Sequence, residues 1–152
     1  SGGSSWTTLG STVTQVNGGT YTTMGSISRA WTAGEMKRLA VQLGQYTSAT
    51  TVGIQNRVLV SSANLTGSCS FETLVSPTSR VVQLVALSTG APDSGMTSAA
   101  ATYIHHNEIY CIVSCPTTGG TYSVTIDFQA ETTGTVTTVG GASSSASRWI
   151  LE

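Results

Sequence analysis

Charge is what this sequence has least of. Only 9% of its 152 residues are charged, against roughly 25% in an ordinary soluble domain. Lys37 is the sole lysine, and the formal net charge is -1. Six scattered cations cannot build the basic patch that phosphate neutralisation needs, so a nucleic-acid partner is not expected. Long apolar runs are missing too. No stretch reaches the roughly 18 residues of a membrane-spanning helix, so membrane insertion is not expected. A helical bundle would be built from Ala, Glu, Lys and Leu, whereas this chain favours Thr and Gly.

Catalytic signatures are equally thin. There is no G-x-S-x-G elbow, and a cysteine–histidine dyad from Cys111 or Cys115 has no evident orienting group. Seven carboxylates (Glu35, Glu72, Asp93, Glu108, Asp127, Glu131, Glu152) include no paired motif of the kind glycoside hydrolysis requires. His105-His106-Asn107-Glu108 is the densest polar cluster, but adjacent histidines on a strand point to opposite faces. Its spacing matches no zinc ligand pattern. No catalytic residue, metal ligand or cofactor is therefore assigned, and the chain reads as a non-enzyme.

What is abundant is Thr, Ser and Gly: 26, 22 and 17 residues, over two fifths of the chain. Thr and Val are β-branched and pack well on a pleated surface, while Gly and Ser supply turns. With 39% hydrophobic residues the chain can still bury a core. The pattern predicts a single all-β domain over residues 1–152 with Ser/Thr/Gly-rich ends. It would be an antiparallel β-sandwich or jelly roll of about 8–10 short strands.

Strands are expected at 6–16 and 20–31, joined by an Asn17-Gly18-Gly19 turn, the second interrupted near Gly25. Further strands are expected at 52–62, 69–76, 80–88, 102–114, 121–130, 135–139 and 147–151, with a loop at 89–101. The 80–88 run is the most apolar and reads as a central buried strand. In 121–130, Tyr122, Val124, Ile126 and Phe128 alternate with Ser123, Thr125, Asp127 and Gln129, which should face solvent. Residues 32–45 are contested. Thr32 and Glu35 have capping-box spacing, so one short helix near 33–43 is allowed; a turn at Ala33-Gly34 followed by a strand fits the rest better.

Three cysteines leave one over after pairing. Four residues of strand span about 13 Å, beyond disulfide reach. Cys69 is therefore the expected partner of either Cys111 or Cys115, unless a turn between those two allows a local bridge or all three stay buried as free thiols. Asn64-Leu65-Thr66 is an N-glycosylation pattern in an expected turn. Trp6 and Trp149, near the two ends, are candidate assembly contacts. Trp31, Tyr46 and Tyr103 are a candidate ligand platform for stacking sugars. Small uncharged surface residues let copies pack without burying charge. The sequence thus points to an extracellular or virion structural subunit that associates with copies of itself: capsid, spike, decoration protein or filament. The alternative is a secreted carbohydrate-binding or adhesin module meeting a host-surface glycan or receptor.

Overall fold

The computed structural model describes residues 5–16, 20–76, 79–90, 96–98 and 103–152. Its strands are β1 (Thr7–Thr8), β2 (Val13–Val16), β3 (Thr22–Trp31), β4 (Glu35–Thr47), β5 (Ile54–Val60) and β6 (Thr66–Ser76). They continue as β7 (Ser79–Ala86), β8 (Met96–Ser98), β9 (His105–Cys115), β10 (Gly120–Ala130), β11 (Thr135–Thr138) and β12 (Arg148–Leu151). Among the described residues there is no helix. The expected turn at 17–19 and most of the expected loop at 89–101 lie outside them.

Two antiparallel sheets pack face to face. The smaller has the order β3-β10-β5-β8; the larger runs β12-β4-β9-β6-β7, with β1 beside β12, and with β11 and β2 on the same flank of β4. Eight strands pair in a nested way: β2 with β11, β3 with β10, β4 with β9 and β5 with β8. The β11–β4 and β10–β5 ladders then join these pairs side by side. The β6–β7 hairpin is added outside this set, extending the larger sheet beyond β9.

Residues 35–47 form strand, not helix. The capping-box residues serve a tight turn instead: Glu35 Oε1 accepts from Thr32 N at 3.0 Å, and Glu35 N donates to Thr32 O at 3.0 Å. Gly34 supplies the positive φ of 87° that this turn needs. The expected break near Gly25 is a bulge, because Ile126 pairs Gly25 while Asp127 pairs Thr23, leaving Met24 extra. A Cβ on Gly25 would run into the Trp149 ring, so this glycine lets β12 pack its indole across the sandwich.

The core has two ends. At the end near Gly34, Trp31, Leu39, Val41, Val113, Val124 and Ile126 are buried, with the Cys69–Cys111 disulfide joining β6 to β9. The other end mixes buried Ile54, Phe128 and Val136 with amides and hydroxyls. Gln45 Nε2 donates to Asn56 Oδ1 at 2.8 Å and to Thr138 Oγ1 at 3.1 Å; Asn56 Nδ2 and Asn107 Nδ2 each donate to Gln45 Oε1 at 3.0 Å. Buried polar groups are stable only when satisfied, and this cluster satisfies its members with one another.

Candidate functional site: an uncovered apolar edge

β7 forms the edge of the larger sheet, hydrogen-bonded to β6 on one side. The sequence pattern placed 80–88 at the centre; the structure places its strand at the rim. Apolar content alone does not bury a strand; it needs a sheet on both flanks and a layer on each face. Leu84 is 77% exposed, Val82 63% and Val81 45%. Strand alternation sends Val82 and Leu84 to one face and Val81 to the other, so side chains on both faces of β7 stand in solvent, although Val85 on the inward side packs against the core.

The outward face continues inward across the ladder. Leu84 lies opposite Ser70, which lies opposite Tyr110; Ala86, Ser68 and Ile112 make the next row. Tyr110 and Ile112 are themselves exposed, as is Met36 on β4. In the next row Val82 meets Glu72, and Glu72 meets Glu108, a like-charged cross-strand pair. Arg80 reaches across the face to donate from Nη1 to the His106 carbonyl at 2.7 Å. Exposed apolar side chains along an unpaired strand edge are the usual starting point for strand-to-strand association.

A second feature sits at the opposite flank of the same face. Thr8, Gln42, His106, Ser143, Ser144, Ser145, Ala146 and Arg148 line a cleft of about 280 Å³. Arg148 Nε donates to Gln42 Oε1 at 2.8 Å, and its guanidinium stacks 4.4 Å from the Trp6 ring centre. No carboxylate pairs with Arg148 among the described residues.

The candidate residues fall out as follows. Cys69 pairs with Cys111, and Cys115 is a buried free thiol whose Sγ donates to the Thr118 carbonyl. Asn64 lies in the β5–β6 turn, where Nδ2 donates to Tyr122 Oη at 3.0 Å. Trp6 is exposed, whereas Trp149 is 5% exposed and inside the sandwich, so Trp149 offers nothing to a neighbour. Trp31 is 2% exposed, donating Nε1 to the Val113 carbonyl, so it gives no face to a sugar. Tyr46 is half-buried and Tyr103 exposed, both at the far end of β4 and β9 from Trp31. The three do not form one platform.

Asp127 and Gln129 face away from the core as expected, yet they are buried. Asp127 Oδ2 accepts from Arg57 Nε at 2.9 Å, and Oδ1 accepts from Thr23 Oγ1 at 2.8 Å. Tyr21 closes over the Arg57 guanidinium at 3.8 Å. His105 and His106 do split between faces. His105 is inside, and burial lowers its ionisation below the usual histidine range; the Tyr103 carbonyl opposes this, while Arg80 and His106 add to it. Among the described residues no three His, Cys, Asp or Glu side chains converge as a metal set.

Sequence reasoning passed over Arg148, which carries no motif, and misplaced β7. The signal for β7 was present in the near-symmetric run Arg80-Val81-Val82-Gln83-Leu84-Val85-Ala86, apolar at both parities, unlike the one-sided alternation of 121–130.

No protein-family model matches this chain, and no curated protein matches it. Among solved structures it is similar to a chain in the structure of infectious bursal disease virus Gx strain, at 12% identity and a TM-score of 0.25. That alignment covers 98% of this chain and 35% of the viral one, so the chain spans about a third of that protein's length. A likeness at this level carries no functional argument.

Proposed function

We propose that this chain is a non-catalytic structural subunit of an extracellular or virion assembly, associating with copies of itself. The observation that carries the reading is β7: an edge strand whose Val81, Val82 and Leu84 stand in solvent on both faces. A lone soluble domain usually blunts such an edge with charge, proline or cover. Three features support it. The nested strand pairing of the β-sandwich is compatible with a jelly roll, an architecture frequent in capsids. The disulfide suits an oxidising setting outside the cytosol. The scarcity of charge leaves few ions to desolvate when copies meet. Negative-stain microscopy of the native protein tests this directly. Rings, shells, filaments or discrete dimers are expected, and their loss in Leu84→Asp. Dispersed monomers at high concentration would refute it.

A second reading rests on the Arg148 cleft. A guanidinium fixed by Gln42 and Trp6, with serine hydroxyls around it, suits a carboxylated saccharide. Sialyllactose should then quench Trp6 fluorescence and lactose should not; quenching by neither, or equally by both, removes this reading.

A further inference from the structure

The polarity of β7 is nearly the same read in either direction. About Gln83, Val82 balances Leu84, Val81 balances Val85, and Arg80 stands where Ala86 stands on the other side. From this symmetry, and resting on the self-association proposed above, we infer that the partner of β7 is β7 of a second copy. The two strands run antiparallel about a twofold axis through Gln83.

The inference follows from what each register would oppose. An isologous contact places the same patch on both partners. Centred on Gln83, the pairing sets Val82 against the second copy's Leu84 on the outward face. On the inward face it sets Val81 against Val85. Residues of equal parity meet, so each face stays continuous across the junction. Gln83 meets Gln83, and one amide can donate to the other's carbonyl. Arg80 meets Ala86, and no two charges of like sign are opposed. Shifting the centre by one residue to Val82 sets Val81 against Gln83 and Arg80 against Leu84. Shifting it to Leu84 sets Gln83 against Val85. The Gln83-centred register alone places apolar against apolar at all four flanking pairs. It also lets Val82 and Leu84 of the two copies pack side by side and supplies the hydrogen bonds that the edge of β7 lacks among the described residues. The two larger sheets would become one, with Tyr110 and Ile112 of each copy on the same outward face, two strands in from the junction.

Single cysteines read the register. Directly opposed residues of antiparallel strands lie about 5 Å apart, within disulfide range. Two Arg80 positions would lie about 20 Å apart along the strands. Under mild oxidation Gln83→Cys should form a covalent dimer, and Arg80→Cys should not. An Arg80→Cys/Ala86→Cys chain should regain it, because those positions face each other. The unsubstituted chain is the blank, since its free Cys115 is buried. Circular dichroism checks that each variant is folded, and light scattering reports the mass before oxidation. A dimer by mass with no Gln83→Cys bridge, or with Arg80→Cys bridging equally well, overturns the register and leaves self-association standing. A monomer by mass removes self-association itself.

Discussion

β4 crosses the middle of the larger sheet, and β7 closes its rim. On β4, Leu39 and Leu43 are 0% exposed; on β7, Leu84 is 77% exposed. Both strands are rich in aliphatic residues, so composition does not separate them. What separates them is coverage. β4 has β9 on one flank and β11 with β12 on the other, and its inward residues join the core shared with the smaller sheet. Among the described residues β7 has β6 alone, and side chains on both its faces stand in solvent. The same leucine thus stabilises the monomer in one place and is available to a partner in the other.

That contrast can be broken in graded steps. The largest effect is expected at the link between the two regions. The Cys69–Cys111 bridge ties the β6–β7 hairpin to β9 across a sequence separation of 42. Closing a loop of that size is worth about 4 kcal/mol in the chain-entropy model. Replacing both cysteines with alanine should lower the unfolding free energy by about that amount. Hydrogen exchange should then rise first in β6 and β7; uniform exchange over β4 and β9 would refute the linkage.

Next comes Leu43→Ala, which removes a fully buried side chain and should cost about 3 kcal/mol. Leu84→Ala should cost no more than about 0.5 kcal/mol in the monomer while weakening association. Equal destabilisation by the two in urea titrations would erase the distinction between β4 and β7. Arg57→Ala, on the smaller sheet, should cost about 2 kcal/mol, because it leaves the buried Asp127 carboxylate with only Thr23 among its described partners. A Thr23→Ala change should hurt less.

The smallest effect is with pH. His105 is held neutral by burial, so its folded ionisation lies below its unfolded value near 6.5. The unfolded chain therefore takes up the proton more readily on acidification. Stability should be at its full value above about pH 6.5 and fall as the pH drops below it. Glu35, whose carboxylate is favoured by the Thr32 amide and Lys37, adds a further loss only in more acidic solution. A His105→Gln variant should flatten melting temperature between pH 7 and 5; an unchanged slope would show that another group is responsible.

Much of this molecule could be read from its sequence because alternation is a local signal. The inward set Val124, Ile126 and Phe128 was visible, as were the break at Gly25, the turn at Asn64 and a disulfide from Cys69. The rest depended on neighbours that local pattern does not name. Nothing in RVVQLVALS says that it joins a hairpin appended outside the nested strands. Asp127 was read as solvated because it points away from the core; Arg57 and Tyr21, distant in sequence, bury it there. Trp149 lies near an end of the sequence and reads as an assembly contact, yet Gly25 makes the space that it fills. The Arg148 cleft needed four separate segments to meet.

The most direct test is the molar mass of the native chain by light scattering over a range of concentrations, alongside Leu84→Asp. The account predicts a species of at least twice the 15.6 kDa chain that dissociates on dilution, and a Leu84→Asp protein that stays folded and monomeric. A native chain that remains at 15.6 kDa at every concentration, or a Leu84→Asp protein with undiminished mass, would contradict it.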